Sequence, residues 1–299
     1  MTALLEVRDL SVDFHTPQGV VTAVRRLNLT IAAGESIAVV GESGSGKSVT
    51  GMALLGLLES NAVVGGSILF EGTEVTGASE AKLRQLRGTG VGMVFQDSLD
   101  SLNPVYTIGA QLQEVLRVRR RLSRRDARTE ALRLLSAVGI PQPEHRLRAY
   151  PHQFSGGMRQ RVCIALAIAL KPRLLIADEP TTALDVTVQA GILRLLHDLQ
   201  TESDMGLLFV THDLSVARLV ANRIVVMRAG EIVEEGDMDE VFTDPKHPYT
   251  RALFDAHPAR ADSWEDLATI DDIPQGDESA THQSDPDVDR GDEAVSHGR

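Results

Sequence analysis

The sequence has 299 residues, and its 30 Lys and Arg against 42 Asp and Glu give a formal net charge of −12. This acidic balance argues against a protein that binds nucleic acid mainly through its phosphates, because such binding needs a basic face that displaces counterions. The single cysteine, Cys163, excludes an intrachain disulfide or a cysteine-held metal cluster and favours a reducing compartment, with the cytosol as the default expectation.

Membrane-spanning character is not predicted. The longest uncharged apolar run, residues 162–170, has nine residues, whereas a spanning helix needs about 20. The N-terminal stretch carries charges from Glu6 onward and has no long apolar segment of the kind found in secretory signals. We therefore expect any membrane role to come through a partner.

The negative charge is concentrated near the C-terminus. Residues 255–299 contain 13 acidic side chains and 3 arginines, a net charge of −10, which leaves about −2 for the rest of the chain. From about residue 276 large apolar residues are also scarce, and such a composition does not bury enough surface to offset the entropy lost on ordering. We predict a domain at 1–254 and an acidic extension at 255–299, largely disordered from about 276.

The elements of this domain follow in chain order. Alternating stretches at 5–14, 27–31 and 67–70 predict an N-terminal set of strands, and residues of about 97–170 predict a helical insertion. Short apolar runs at 37–40, 174–177, 207–210 and 224–227 are bounded by Gly, Asp or charged residues, and helix-compatible sequence follows the first three. This alternation is typical of an α/β fold with a mainly parallel, buried sheet, whose ligands bind at the carboxyl ends of the strands.

A phosphate-binding pattern follows the first of these runs. Residues 41–48 have the form G-x-x-x-x-G-K-[ST], with a predicted strand before and a helix after. In this pattern the backbone N–H groups curl around phosphate, Lys47 reaches the β- and γ-phosphates, and the hydroxyl of Ser48 ligates Mg²⁺. The residues predicted to bind the phosphates of a nucleotide here are Gly41, Glu42, Ser43, Gly44, Ser45, Gly46, Lys47, Ser48 and Val49.

Two adjacent carboxylates end the run that begins near residue 174. Asp178 and Glu179 are costly at a buried strand end unless they meet a cation, and Mg²⁺ in a phosphate loop supplies one. Asp178 is then predicted to hold the Mg²⁺ shell and Glu179 to act as the base that polarises the attacking water. By itself, Asp-Glu-Pro is equally typical of a strand-end turn.

The remaining motifs decide between these interpretations. Gln96 follows a hydrophobic strand at 91–95, residues 154–161 read Phe-Ser-Gly-Gly-Met-Arg-Gln-Arg, Ala-Leu-Asp ends at Asp185, and His212 closes the run at 207–210. In this order the six motifs resemble those of the nucleotide-binding subunits of ABC transporters, over residues of roughly 4–255. The resemblance implies an ATPase with a RecA-like P-loop core, an N-terminal antiparallel β-subdomain and a helical subdomain that bears the signature.

The resemblance also implies roles for individual residues. Ser155, Gly156 and Gly157 are expected to act in trans on the γ-phosphate bound by a second cassette, and Asp185 to couple the two sites. Gln96 is expected to contact Mg²⁺ and the attacking water, and His212 to sense the γ-phosphate beside Glu179. Met158 replaces the glutamine of the short consensus, a change that leaves the hydroxyl and backbone groups of the signature in place.

Phe14 has two interpretations. As an aromatic residue on an N-terminal strand it is a candidate to stack on adenine. It is also a candidate for a core side chain of that strand.

Three further stretches resemble the dipeptide, oligopeptide and nickel importer group: residues 41–48, 95–104 and 245–253, the last of which contains His-Pro-Tyr-Thr. The resemblance implies import of di- or oligopeptides, with nickel or a metal chelate as an alternative cargo. The implied partners are a second ATPase subunit, either a paralogue or a second copy, two transmembrane permease subunits and an extracytoplasmic binding protein, with no nucleic acid. The chain is then expected at the cytoplasmic face of the membrane, as a peripheral subunit.

One alternative to this assignment is a soluble ABC ATPase, such as an iron–sulfur-assembly type. It has the same core motifs, but the His-Pro-Tyr-Thr stretch argues against it.

A cluster of seven arginines in the helical insertion has two interpretations. It is either a solvated helix face or a surface that orients towards anionic lipid. The arginines are Arg117, Arg119, Arg120, Arg121, Arg124, Arg125 and Arg128.

Overall fold

Two β-sheets and a group of helices make up the fold in the computed structural model of the protein, which describes residues 3–96, 101–182 and 184–255. The acidic extension predicted at 255–299 lies outside the described residues except for Asp255, and so do residues 97–100 of the predicted insertion. The strands are β1 (Ala3–Thr16), β2 (Gly19–Ala32), β3 (Ser36–Val40), β4 (Ala62–Phe70), β5 (Thr73–Glu74), β6 (Val91–Val94), β7 (Leu174–Asp178), β8 (Gly206–Thr211), β9 (Arg223–Arg228) and β10 (Glu231–Asp237).

The helices lie between the strands and in the insertion. A short 3-10 helix, Pro151–Gln153, precedes α6. The helices are α1 (Lys47–Leu54), α2 (Glu80–Thr89), α3 (Ile108–Arg119), α4 (Arg124–Ala137), α5 (Pro143–Arg146), α6 (Gly156–Ile168), α7 (Val186–Ser203), α8 (Leu214–Val220), α9 (Met238–Thr243) and α10 (Pro248–Asp255).

The larger sheet has six strands in the order β10-β9-β3-β8-β7-β6. All neighbours pair in parallel except β10, which joins the edge antiparallel to β9. The strands β3, β7 and β8 are buried along their whole length, as their continuous apolar sequences predict for a sheet covered on both faces. The α/β class with a mainly parallel sheet is confirmed.

The register of this sheet brings four strand ends together. Val40 of β3 lies opposite Thr211 of β8, and Asp178 of β7 lies opposite Val210 of β8. On the other side of β7, Val94 of β6 lies opposite Ala177. The segments that follow these four parallel strands therefore begin side by side along one edge.

The smaller sheet is antiparallel, with the order β2-β1-β4-β5, and forms the predicted N-terminal β-subdomain. A hydrophobic core separates it from one face of the large sheet, where Leu5 and Ile31 pack in the same cluster as Val39 and Ile176. The alternating burial of β1 and β2 follows from this arrangement, since only one face of each strand meets that core. The strand predicted at 91–95 ends at Val94, because Phe95 is already 42% exposed.

The opposite face of the large sheet packs against helices. Ala177 and Phe209 share a core there with Leu112 of α3, Leu134 of α4 and Val162 of α6. This core joins the helical insertion, from α3 to α6, to the sheet that it interrupts. Within the part of the chain that the structure describes, no helix has both the length and the apolar character needed to cross a membrane.

Candidate nucleotide-binding site

The loop from Gly41 to Gly46 connects β3 to α1 and needs glycine at its turning points. Gly46 precedes α1 with φ +100°, a value that side-chain-bearing residues rarely adopt, and a Cβ there would lie 2.5 Å from the carbonyl oxygen of Ala23. At Gly41 a Cβ would lie 2.2 Å from the carbonyl oxygen of Met227. Neighbouring backbone therefore determines the shape of the loop that ends at the N-terminus of α1.

Lys47 is the cation of this loop. Its side chain is buried, and its Nζ donates hydrogen bonds to the carbonyl oxygens of Gly41 at 2.8 Å and Glu42 at 2.7 Å. Burial lowers the pKa of Lys47 below its ordinary value, an effect that the negative charges of Glu179, Asp178 and Glu42 oppose. The ammonium group is thus stripped of water but surrounded by oxygen atoms, an environment that favours an anionic ligand.

Ser48 and Asp178 join the loop to the end of β7. The Ser48 hydroxyl donates to Oδ1 of Asp178 at 3.0 Å, although the two residues are far apart in sequence. Asp178 is only 5% exposed, and burial raises the pKa of its carboxyl, opposed by the hydrogen bond from Ser48. A buried carboxylate beside a hydroxyl offers hard oxygen ligands.

This donor set fits Mg²⁺. In nucleotide sites Mg²⁺ is held by one or two protein oxygen ligands together with phosphates and water, so a large cluster of protein ligands is not required. Among the residues that the structure describes, no group of three or more His, Cys, Asp or Glu is arranged to hold a metal ion. The pairing of Ser48 with Asp178 is compatible with a Mg²⁺ ion that takes its other ligands from phosphates and water.

Glu179 lies at the centre of a hydrogen-bonded group. Gln96 Nε2 donates to Glu179 Oε2 at 3.1 Å, and Thr182 Oγ1 donates to the same oxygen at 2.9 Å. Nδ1 of His212 lies 3.2 Å from Oε1, and the Glu179 side chain is 14% exposed. We call Ser48, Gln96, Asp178, Glu179 and His212 the strand-end cluster.

The backbone of Glu179 has an uncommon conformation. Its φ is +43°, and its N–H donates to the carbonyl oxygen of Val210 on β8 at 2.9 Å. A residue with a side chain seldom adopts a positive φ, and such residues concentrate where a site constrains the chain. The hydrogen bond to β8 holds the conformation that places the Glu179 carboxylate between β6 and β8.

The residues Ser155, Gly156 and Gly157, here called the signature turn, lie at the start of α6. Ser155 is the N-cap of this helix and accepts a hydrogen bond from the N–H of Met158 at 3.3 Å. A Cβ at Gly157 would lie 2.2 Å from Cγ1 of Val188, so only glycine allows α6 to approach α7 this closely.

Asp185 lies beside this turn as the N-cap of α7, where it accepts from the N–H of Val188 at 3.0 Å. The structure thus brings Asp185 and the signature turn together at two neighbouring helix N-termini. Among the described residues, neither Ser155 nor Asp185 is hydrogen-bonded to the loop from Gly41 to Lys47. These residues form a second group, separate from the strand-end cluster.

Two predicted residues of the nucleotide site, Phe14 and Val49, lie against the core between the two sheets. Phe14 is partly buried and packs against the core between the two sheets, so it has the contacts of a core side chain, and adenine stacking stays a prediction. Val49 is also partly buried against this core. Of the loop residues, Glu42, Ser43 and Gly44 are exposed, whereas Ser45 is buried.

Two contacts of the site have no signal in the sequence. Thr182 was not predicted to contact Glu179, because nothing in a threonine after Asp-Glu-Pro-Thr indicates which carboxylate it will bond. The hydroxyl of Tyr249 accepts a hydrogen bond from the N–H of Glu42 at 3.3 Å, which joins the loop to α10. In the sequence, the segment around Tyr249 indicated only a resemblance to a family and predicted no contact with the loop.

The arginines of the insertion are not a uniform solvated face. Arg119 donates to the carbonyl oxygens of Arg84 and Arg87 at 2.6 and 2.8 Å, which ties the end of α3 to α2. Arg120 pairs with Glu130 at 2.9 Å. At least two of the seven arginines therefore have structural partners.

Comparison with known families matches two parts of the chain. Residues 24–182 match the ABC transporter family, and residues 233–284 match the family described as the oligopeptide/dipeptide transporter, C-terminal region. The first match contains the loop, Gln96, the signature turn and the carboxylate pair. The second contains α9, α10 and Tyr249.

Curated relatives are similar over most of their length. The oligopeptide transport ATP-binding protein OppD of Bacillus subtilis (strain 168) is 50% identical over 271 residues, 90% of this chain and 76% of the relative. OppD of Escherichia coli (strain K12) is 48% identical, with 90% and 80% covered. The dipeptide transport ATP-binding protein DppD of Haemophilus influenzae (strain ATCC 51907 / DSM 11121 / KW20 / Rd) is 47% identical, with 92% and 83% covered.

Solved structures agree on the architecture. The dimeric structure of MJ0796, a bacterial ABC transporter cassette, is similar with a TM-score of 0.71 at 29% identity, covering 78% of this chain and 98% of that chain. A dimeric post-hydrolysis state of the same cassette, bound to ADP and Pi, gives the same values.

Proposed function

The chain belongs to the ABC transporter family, as an ATPase subunit, and from this premise we propose that it hydrolyses ATP with Mg²⁺ to drive import of di- or oligopeptides through a membrane permease. The observation that carries the proposal is the strand-end cluster. Gln96, Glu179 and His212 follow three different parallel strands and meet at the Glu179 carboxylate, beside the pair of Ser48 and Asp178. Ligands of such sheets bind at this edge.

The loop from Gly41 to Lys47 is proposed to hold the phosphates of ATP. Its backbone N–H groups and the N-terminus of α1 attract anions, and the buried Lys47 supplies the charge that reaches the β- and γ-phosphates. Ser43, Gly44 and Val49 complete the proposed binding set, and Phe14 is proposed to stack on adenine from β1. Lys47 already bonds to loop carbonyl oxygens, so phosphate binding exchanges those partners for anionic ones.

Mg²⁺ is proposed to be held by Ser48 and Asp178, with Gln96 as a further ligand. When bound, the ion neutralises charge that develops on the phosphates. Glu179 is the proposed general base for the attacking water, since its carboxylate is held by Gln96 and Thr182 and is adjacent to His212. His212 is 58% exposed on its side chain and is proposed to contact the γ-phosphate.

The signature turn is proposed to act on a nucleotide bound by another cassette. The signature turn offers two groups, the hydroxyl of Ser155 and the N-terminus of the helix that this serine caps. Both groups are suited to stabilise the charge of a γ-phosphate. We propose that hydrolysis requires a dimer of cassettes, formed with a paralogue or a second copy, and that Asp185 couples the two sites.

The cargo and the other partners are proposed from the relatives. The relatives described above are transport ATP-binding proteins for oligopeptides or dipeptides, and residues 233–284 match the C-terminal region of that group. Two permease subunits and an extracytoplasmic binding protein are the proposed partners, with this chain at the cytoplasmic face of the membrane. No observation favours nickel or a metal chelate as the cargo.

Purification of the chain with its membrane partners tests this proposal. A tagged full-length chain is extracted from membranes, the copurifying polypeptides are identified, and ATP turnover is measured with a panel of di- and oligopeptides and with Ni²⁺. We expect permease subunits to copurify and peptides to stimulate turnover when the binding protein is added. Stimulation by Ni²⁺ alone would replace the peptide assignment, and recovery without any membrane protein would contradict the transporter assignment.

A further inference from the structure

The C-terminal helix α10 contacts the phosphate-binding loop through one tyrosine. Tyr249 is completely buried, and its hydroxyl accepts a hydrogen bond from the backbone N–H of Glu42, the second residue of the loop, at 3.3 Å. The two residues are 207 positions apart. Glu42 belongs to the part of the chain that matches the ABC transporter family, whereas Tyr249 belongs to the part that matches the oligopeptide/dipeptide C-terminal region.

Hydrogen bonds to β10 hold the segment that carries Tyr249. Glu234 accepts hydrogen bonds from the backbone N–H groups of Lys246 and His247, at 2.7 and 3.0 Å. Nδ1 of His247 in turn accepts from the N–H of Tyr249 at 3.2 Å. The start of α10 is therefore held at a defined position relative to the sheet before any contact with the loop is counted.

The ring of Tyr249 is held as well as its backbone. The Arg228 guanidinium lies 4.8 Å from the ring centroid, a distance at which a cation is attracted to the face of an aromatic ring. Burial and the hydrogen bond of the hydroxyl with the Glu42 side chain raise the pKa of Tyr249 to about 12, against the opposing effect of the bond from the Glu42 N–H, so the hydroxyl keeps its proton near neutral pH. At the other end of α10, Phe254 is buried and packs against Phe242, with ring centroids 5.0 Å apart.

The turn between β9 and β10 makes a second contact with the phosphate-binding loop. The N–H of Gly230, in the turn between β9 and β10, donates to the carbonyl oxygen of Ser45 at 3.1 Å. Arg228, which lies over the tyrosine ring, is the last residue of β9 and directly precedes that turn. The loop is thus supported at Glu42 by α10 and at Ser45 by the β9–β10 turn, on either side of its exposed residues Ser43 and Gly44.

We propose that Tyr249 is a positioning residue of the nucleotide site, whose hydroxyl holds the backbone of Glu42 so that the loop has its phosphate-binding shape before ATP arrives. The inference rests on the proposed function of the loop. A loop that is already ordered loses less conformational entropy on binding, so its affinity for phosphate is higher. Because Tyr249 touches neither the reacting atoms nor the strand-end cluster, its contribution belongs to ATP binding and not to the chemical step.

Replacement of Tyr249 by phenylalanine tests the inference with little change of volume. The affinity of the full-length chain for Mg-ATP is measured by titration, and KM and kcat for ATP are measured in the complex purified from membranes. Loss of the hydroxyl removes its hydrogen bonds with Glu42, which predicts a weakening of ATP affinity, and a rise of KM, of about two- to tenfold, with kcat unchanged. Amide hydrogen exchange in residues 41–48 is expected to become faster.

Tyr106→Phe is the matched control, since it removes a hydroxyl from a tyrosine that is 55% exposed. Unchanged affinity and KM in Tyr249→Phe would overturn the inference, even if the melting temperature fell, because packing alone would then explain the residue. A fall in kcat at constant KM would overturn it as well.

If Tyr249→Phe does not fold, Arg228→Met takes its place, since it removes the cation from the ring face and leaves the hydroxyl. A smaller loss of affinity in the same direction supports the inference, and no loss overturns it. Lys47→Ala separates this inference from the proposed function. A wild-type chain that does not bind Mg-ATP, or binds it equally well after Lys47→Ala, overturns the nucleotide site itself, whereas normal wild-type binding with unchanged Tyr249→Phe affinity overturns only the role of Tyr249.

Discussion

The strand-end cluster and the signature turn are both short motifs, but the fold treats them differently. The cluster is closed within one chain, since side chains from the ends of β6, β7 and β8 are hydrogen-bonded or in contact around Glu179. Among the described residues, the side chain of Ser155 in the signature turn bonds only locally, as the cap of α6, and the neighbouring Asp185 likewise caps α7. One region is assembled by the register of a sheet, and the other by the close packing of two helices.

This difference shows how the proposed chemistry is divided. The cluster contains the proposed general base and the proposed Mg²⁺ ligands at one edge of the sheet, so substitutions there are expected to affect the chemical step directly. The signature turn is separate from the cluster, so substitutions there are expected to change turnover only when a second cassette is present. Four predictions test this division, in order of decreasing effect.

Glu179→Gln is expected to give the largest effect. It keeps the shape of the side chain and removes the base, so turnover in the purified complex should fall at least about 100-fold, while Mg-ATP binding persists. Glu202→Gln, an exposed carboxylate near the end of α7, is the matched control and should leave turnover unchanged. Wild-type turnover by Glu179→Gln would remove Glu179 from the proposed mechanism.

Ser155→Ala tests the other side of the comparison. We expect turnover of the complex to fall about 10- to 100-fold, because one donor to a developing charge is lost, while Mg-ATP affinity of the chain alone is unchanged. The measurement compares steady-state turnover with nucleotide titration.

Ser123 provides a matched control, because it also caps a helix and accepts from the N–H of Asp126 at 3.2 Å. Either serine-to-alanine change is expected to cost about 1 kcal/mol of stability through the lost cap. Equal losses of turnover in the two variants would show that capping, not phosphate contact, explains Ser155.

Glu130→Gln is expected to destabilise the helical insertion without disturbing the cluster. The hydrogen bond from Arg133, helped by that from Arg120, lowers the pKa of Glu130 to about 2 against the effect of partial burial. Because the folded pKa lies below the ordinary 4.5, the stabilisation is complete above that pH and is lost as pH falls towards 2. With allowance for solvent screening, we expect a loss of about 1–2 kcal/mol near neutral pH.

Denaturant unfolding of wild type and Glu130→Gln between about pH 7 and pH 3 measures this effect. The difference in unfolding free energy between wild type and Glu130→Gln should become smaller as the pH falls. Glu114→Gln, on the exposed side of α3, serves as the control. If Glu130→Gln accelerated amide hydrogen exchange equally in β3 and in α4, this would contradict the expectation that the change destabilises the helical insertion without disturbing the strand-end cluster.

Met158→Gln is expected to give the smallest effect. Met158 contributes its backbone N–H to the Ser155 cap, and any side chain provides that group. Restoring the consensus glutamine should therefore change turnover by no more than about twofold. A larger change in steady-state turnover would show that the side chain at this position takes part in the contact with the second cassette.

Much of the site was predictable because its motifs are local. The loop at 41–48 needs only a strand, glycines and a helix start in succession, and the structure has β3, the loop and α1 in that order. The parallel sheet followed from continuous apolar runs, and the N-terminal subdomain from alternating ones. The end of the strand before Gln96 was wrong by one residue, because an apolar side chain such as Phe95 can also lie exposed at a strand end.

Other parts were not predictable from local pattern. The partner of an arginine depends on which helix lies opposite, so a charge run that suggests a solvated face also contains Arg119 and Arg120 with structural partners. The bond from Thr182 to Glu179 depends on the positive φ of Glu179 and its bond to β8. Neither is encoded in a window of a few residues.

The amino-acid sequence alone was enough to predict the candidate chemical groups of this protein: a phosphate-loop pattern, paired carboxylates, a Ser-Gly-Gly signature and the order in which they occur. Each depends on residues within about one turn or strand of one another, where sequence spacing sets geometry. Only the tertiary structure decided that Gln96, Glu179 and His212 meet, because that requires the strand order and register of the sheet. The contact of Tyr249 with the loop, across 207 positions, also depends on the tertiary structure, since only packing brings such distant segments together.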